Sequence, residues 1–220
     1  MKAHTKQERA RMPPRRHTRQ DVIDAALELL NEHGLDAVTI REVARRMRVN
    51  VNTVSFQVGT KARLLGLMSD AVLAHLSLDD LPEDGFQRAE EILSRYRHTL
   101  LTYRDGARLT AGNTPFEEHT RDFTEELVTA LSIAGVPDRE SAHGMWALFY
   151  FLLGITQEQQ AAQIQAAPEE VPPSDRYPTL HRLHPHLFSA DFDARYDFGV
   201  AAILTHLRQS VLAQEQRTDT

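Results

Sequence analysis

Between Met145 and Ile155 the chain reads MWALFYFLLGI, a helical stretch that is apolar on nearly every side. Such a helix has no solvent face and must be buried all round. It falls far short of the ~20 apolar residues that a bilayer span needs, so no membrane partner is expected. The chain must therefore supply enough other helices, or a second copy of itself, to cover it.

Helical spacing supplies them. Val22, Ala26, Leu29 and Leu30 share one face of a first helix over about 20–33, which Gly34 stops. Thr39 and Glu42 have the spacing of a capping box, and Ile40, Val43, Ala44 and Met47 form the stripe of a second helix over about 40–46. After a break at Met47, Arg48 and Val49, NVNTVSFQV makes a weak third helix over about 51–57, because β-branched and Asn residues are poor helix formers. Val51, Val54 and Val58 can face the first two helices, leaving a small polar face outward.

Longer helices follow over about 61–77, 86–103, 116–134, 138–165 and 191–214. Residues 166–190 carry five prolines and should form a connection with at most a short helix. No strand pattern and no internal repeat occurs. The expected fold is all-α: an N-terminal three-helix helix-turn-helix domain over 18–63, with the motif at about 39–58, and a C-terminal helical domain over 64–220, to which the family resemblance drawn below assigns ligand binding and dimerisation. Residues 1–17, with paired prolines and many charges, should be a flexible basic arm.

Charge sharpens this division. Residues 1–63 hold 13 Lys and Arg against 7 Asp and Glu, whereas residues 64–220 hold 12 against 24. A basic head on an acidic body suits binding of a polyanion by the head alone, since cationic side chains displace condensed counterions from phosphates. A capped helix, a short turn and a polar-faced third helix in that same segment point to double-stranded DNA. There is no cysteine, which excludes disulfides, thiolate zinc sites and cysteine nucleophiles. The N-terminus has no apolar block after its charges, so a cytoplasmic protein is expected.

The stretch ALELLNEHGLDAVTIREVARRMRVNVNTVSFQVGTKARLL, at about 25–65, resembles the DNA-binding domain of the tetracycline repressor family of bacterial transcription regulators. YRDGARLTAGNTP, from Tyr103 to Pro115, resembles the body of the tetracycline repressor subgroup, and the likeness extends over about 18–214. The resemblance implies that the third helix enters the major groove. Arg41, Asn52 and Gln57 would then read bases, as Arg suits guanine and Asn or Gln suits adenine. Thr39, Val51, Thr53, Ser55 and Phe56 complete the DNA-facing set, with Thr53 and Phe56 offering thymine-methyl or backbone contacts. Lys61 would bind phosphate at the start of the fourth helix. Arg48 stands where the family usually has glycine, which implies a left-handed turn residue, and Ser55 stands where it usually has tyrosine.

The resemblance further implies a homodimer through a four-helix bundle, a roughly palindromic operator, and a small-molecule effector that releases the repressor. The effector pocket would lie among Tyr96, Tyr103, Thr110, Asn113, Thr114, Phe116, Glu126, Trp146, Tyr150 and Glu158. Trp146 and Tyr150 could instead belong to the dimer bundle. Thr110 stands where the tetracycline repressor has a metal-holding histidine and Thr114 where it has an arginine, while Glu158 keeps a carboxylate. A hydroxyl is a much poorer ligand for a divalent ion than imidazole, so neither a cofactor nor a magnesium-chelated tetracycline is expected. Two other readings remain at this point. His181, His184 and His186, with Asp175 or Asp191, could hold the metal of an enzyme, although no G-x-S-x-G elbow accompanies them. A constitutive DNA binder would use the same head, yet about 150 residues of body exceed what dimerisation alone requires.

Overall fold

The computed structural model describes residues 17–112, 117–162 and 171–218, and among these it contains ten α-helices, one 3-10 turn and no strand. The head comprises α1 (Arg19–His33), the 3-10 turn Leu35–Ala37, α2 (Ile40–Met47) and α3 (Val51–Val58). α4 (Lys61–Leu73) crosses from head to body. The body comprises α5 (Gly85–Leu101), α6 (Gly106–Thr110), α7 (Glu118–Ile133), α8 (Asp138–Ala162), α9 (Pro178–Leu187) and α10 (Phe192–Thr218).

Local chemistry explains the head. Thr18 caps α1 in a reciprocal box with Asp21, and Gly34 ends the helix at φ 82°. At α2 only half of the expected box forms. The Thr39 hydroxyl accepts from the Glu42 N–H, but the Glu42 carboxylate turns to Arg45 instead of back to the cap. Arg48 is left-handed at φ 56° and ψ 41°, a conformation that costs a non-glycine residue about 1–2 kcal/mol. Its N–H closes α2 on the Ala44 and Arg45 carbonyls. Weak α3 is held by burial, since Val54 and Val58 are in the core. Val51 is 40% exposed and does not join them.

Several body elements depart from periodicity. α4 ends at Leu73, before the expected 77, because Arg95 Nη1 binds the carbonyls of Ser77 and Asp79 and holds that segment as a loop. The five-residue α6 is too short to leave a periodic signal. It is set by buried Gln160 of α8, whose Nε2 donates to the Leu100 and Tyr103 carbonyls and whose Oε1 accepts from the Ala107 N–H. The proline-rich connection contains the ten-residue α9, with Pro178 in its first turn, Pro185 inside it, and no buried residue.

α8 and α10 approach closely through glycine. A Cβ at Gly199 would sit 2.0 Å from the Phe151 ring, and one at Gly144 would sit 2.7 Å from Leu207. Leu148, Phe149 and Leu152 of α8 are buried, yet Trp146 and Tyr150 are exposed, as is Phe198 of α10. One copy of the chain therefore covers the apolar α8 on some of its sides only.

Candidate nucleic-acid interface and ligand cavity

On the head, α2 and α3 present an uneven set of groups. Arg46 is tied down: its Nε lies 3.0 Å from Glu28 and its Nη2 lies 2.6 Å from Glu32, which fastens α2 to α1. Arg45 pairs with Glu42 at 2.7 Å. Arg41 is exposed and makes no ion pair or hydrogen bond among the described residues. Asn52 is exposed, Thr53 and Ser55 are half-buried, and Phe56 is 87% exposed, so Phe56 is no core aromatic. Lys61, the first residue of α4, is exposed and makes no ion pair among the described residues.

Two residues of the expected DNA-facing set are occupied elsewhere. Gln57 donates from its side-chain Nε2 to the His17 carbonyl at 2.7 Å, while its backbone carbonyl accepts from Arg19 Nε at 3.1 Å. Its amide therefore anchors the start of α1 and does not point outward. Thr39 is half-buried, and its hydroxyl serves as the cap of α2. Residues 1–16 of the basic arm lie outside the described residues.

In the body, α4, α5, α6, α7 and α8 enclose a cavity of about 600 Å³. Ser69, Leu73, Tyr96, Thr110, Thr120, Arg121, Asp122, Phe123, Thr124, Glu125, Met145, Trp146 and Phe149 line it. Its aromatic wall is continuous: the Tyr96 ring lies 4.6 Å from Phe123 and 6.3 Å from Phe149, and Trp146 meets Phe149 edge-on at 5.9 Å. Burial pushes the Tyr96 phenol well above its ordinary range, against a smaller opposing effect of its hydrogen bond with Thr110. It is thus a neutral hydroxyl at any physiological pH. The Thr110 hydroxyl donates to the Gly106 carbonyl at 3.1 Å, and Ser69 donates to Thr110 at 3.4 Å. Charges sit only on Arg121, Asp122 and Glu125, which are exposed. Such a mix of aromatic wall and few polar groups is what small-molecule pockets generally offer.

Of the ten residues expected around the pocket, Tyr96, Thr110 and Trp146 line this cavity. Asn113, Thr114 and Phe116 lie outside the described residues. The other four lie off its lining. Glu126 is turned away and binds Arg88 Nε at 2.7 Å, and its neighbour Glu125 lines the cavity in its place. Tyr103 bonds His75 Nδ1 at 3.2 Å. Tyr150 is 62% exposed and stacks on the outer side of Trp146, and Glu158 is exposed. Phe123, Phe149, Met145, Thr120 and Thr124 were not anticipated. Their signal was available: positions 120, 123 and 124, and likewise 145, 146 and 149, repeat at the three- and four-residue spacing of one helical face.

The histidine cluster does not converge. His181 Nδ1 lies 2.9 Å from the Pro172 carbonyl, and the His184 ring lies 4.8 Å from that of Phe188. Among the described residues no three His, Cys, Asp or Glu are arranged to hold a metal.

Comparison with known proteins decides the family. Residues 22–68 match the profile of bacterial regulatory proteins of the tetR family, and residues 79–211 match that of the tetracyclin repressor-like C-terminal domain. The chain belongs to the TetR family. It is 32% identical to tetracycline repressor protein class G of Vibrio anguillarum over 204 residues, which take in 88% of this chain and 96% of that protein. The fold superposes on apo ActR of Streptomyces coelicolor with TM-score 0.81 at 23% identity, over 92% of this chain and 100% of that one. It also superposes on a TetR variant from Acinetobacter baumannii in complex with minocycline, with TM-score 0.69 at 28% identity, over 86% and 96% of the two chains. As a TetR-family member the chain is a ligand-responsive transcriptional repressor. No helix among the described residues is long and apolar enough to cross a membrane.

Proposed function

We propose that two copies of this chain pair through α8 and α10, bind a near-palindromic duplex through their heads, and release it when a planar aromatic compound enters the cavity. The observation that carries this reading is α4. Its first residue, Lys61, is exposed directly after α3, and its later residues Ser69 and Leu73 line the cavity. A displacement of one helix thus reaches both sites. Exposed Trp146, Tyr150 and Phe198 supply the apolar faces that a second copy would cover. A two-fold dimer sets its heads about one helical turn (~34 Å) apart, which calls for palindromic half-sites.

In this reading Arg41 and Asn52 contact base edges, and Thr53, Ser55 and Phe56 contact methyl groups or backbone. Lys61 and the first N–H groups of α4 hold a phosphate. Gln57 anchors the start of α1. The protein acts in the cytoplasm and without catalysis. The ligand is neutral where it meets the buried wall, because Tyr96, Ser69 and Thr110 offer hydroxyls there, while the charges of Arg121, Asp122 and Glu125 stand on the exposed side of the cavity. Thr110 lines the cavity where the family resemblance puts a metal-holding histidine, so a magnesium-chelated tetracycline is not the effector.

The experiment is a titration of tetracycline with magnesium, and separately of a panel of magnesium-free planar aromatics, against the protein–duplex complex. The expected result is release by a member of the panel alone. Release by micromolar tetracycline and magnesium would overturn the ligand assignment.

A further inference from the structure

The junction between α4 and α7 is polar and reciprocal. Glu117 is the N-cap residue of α7, yet its side chain makes no capping bond. Its carboxylate is paired instead with Arg63 of α4. The capping comes from α4 in return: Asp70 Oδ1 accepts from both the N–H and the hydroxyl of Thr120, each at 2.8 Å. Asp70 Oδ2 lies 2.9 Å from His119 Nδ1, and Asp70 is only 8% exposed. A carboxylate here satisfies an orphan N–H of α7 and suits the positive end of the helix dipole. An ordinary cap belongs to the segment leading into its helix, whereas this one belongs to a helix 50 residues earlier. The first turn of α7 therefore cannot shift without carrying α4 along or stranding a buried carboxylate. That turn is also a wall of the cavity, through Thr120, Phe123 and Thr124.

We propose that Asp70 is a positioning residue that couples cavity occupancy to the reading head, by making the first turn of α7 and the helix that bears Lys61 move as one body. The inference rests on the reading that an occupied cavity releases the duplex. A ligand pressing on Phe123 and Thr124 displaces α7, Asp70 and Arg63 transmit the displacement to α4, and the head spacing changes. Linkage makes the effect reciprocal: duplex binding weakens the ligand by the same factor.

The probe is 7-amino-4-methylcoumarin, a neutral planar aromatic. Its entry is read by energy transfer from Trp146, the single tryptophan of the chain, which lines the cavity. Affinity for a duplex enriched from a random pool by the wild-type dimer is measured with and without the probe. In wild type the probe should weaken the duplex about tenfold, and in Asp70→Ala by less than about twofold with probe affinity kept. Asp70→Asn, whose amide oxygen still accepts from Thr120, should keep most of the coupling. Should Asp70→Ala fail to fold by thermal melting, Thr120→Val, which removes only the hydroxyl donor, takes its place and should lose part of the coupling. Full coupling in a folded Asp70→Ala protein, or in Thr120→Val if that variant is used, overturns the role of Asp70 and leaves the release reading standing. A probe that fails to enter wild type, or enters without weakening the duplex, overturns both.

Discussion

In the proposed function α3 and α7 each carry the working face of their half of the molecule, and they are held in different ways. α3 rests on Val54 and Val58, which are buried in the head, and its outer face can change without disturbing what lies beneath. α7 has Phe123 and Leu127 in the core, and the same stretch lines the cavity, so its working face and its structural face are continuous. The difference separates two kinds of residue. On the head, contact groups are dispensable for folding; around the cavity, the groups that would touch a ligand also hold the body together.

Two phenylalanines test that contrast most strongly. Phe149→Ala opens the aromatic wall and should cost about 3–5 kcal/mol of stability in thermal or denaturant unfolding. Phe56→Ala, at a residue 87% exposed, should leave stability within about 0.5 kcal/mol while weakening duplex binding. Equal destabilisation by both would break the distinction between the two faces.

Within the head, Arg41→Ala should cost about 1–3 kcal/mol of duplex affinity and relax preference at one base pair, as read by competition between sequence variants. Lys61→Ala should weaken all sequences alike and lower the salt slope of binding by about one. An unchanged slope in the Lys61 variant would remove its phosphate contact.

The smallest effect concerns the seam between the halves. Arg108 of α6 donates to both carboxylate oxygens of Asp36 in the head and holds that carboxyl below its usual range. A carboxyl with a lowered folded value stabilises the protein above its unfolded value and loses that contribution as pH falls through the lowered one. The seam should therefore be intact at neutral pH and loosen only below about pH 4, with little effect on melting because the pair is exposed. Melting temperatures of Asp36→Asn and wild type should differ slightly at pH 7, and the difference should shrink as pH falls below about 4.

The same contrast explains what could be read in advance. The head is written in contiguous residues: Thr39, the turn at Arg48 and the stripe of Val43 and Ala44 each leave a local signal, and the structure follows it closely. The cavity draws on five helices, and whether Glu125 or Glu126 of α7 faces it depends on a rotation of one residue that no local pattern sets. Polar contacts distant in sequence decide such cases. Glu126 is claimed by Arg88 of α5 and Gln57 by the His17 carbonyl, partners 38 and 40 residues away. α6 is set by Gln160, one of three glutamines in the polar last turns of α8, which periodicity gives no reason to single out.

Control of the head by occupancy of this cavity is the core of the proposed function. It is tested most directly by release of a bound duplex, followed by fluorescence anisotropy, as planar aromatic compounds are titrated against wild type and against Thr124→Trp, which fills the cavity from α7. Release from wild type by at least one compound is expected, with no release by that compound from a folded, duplex-binding Thr124→Trp protein. Equal release from both proteins would contradict it.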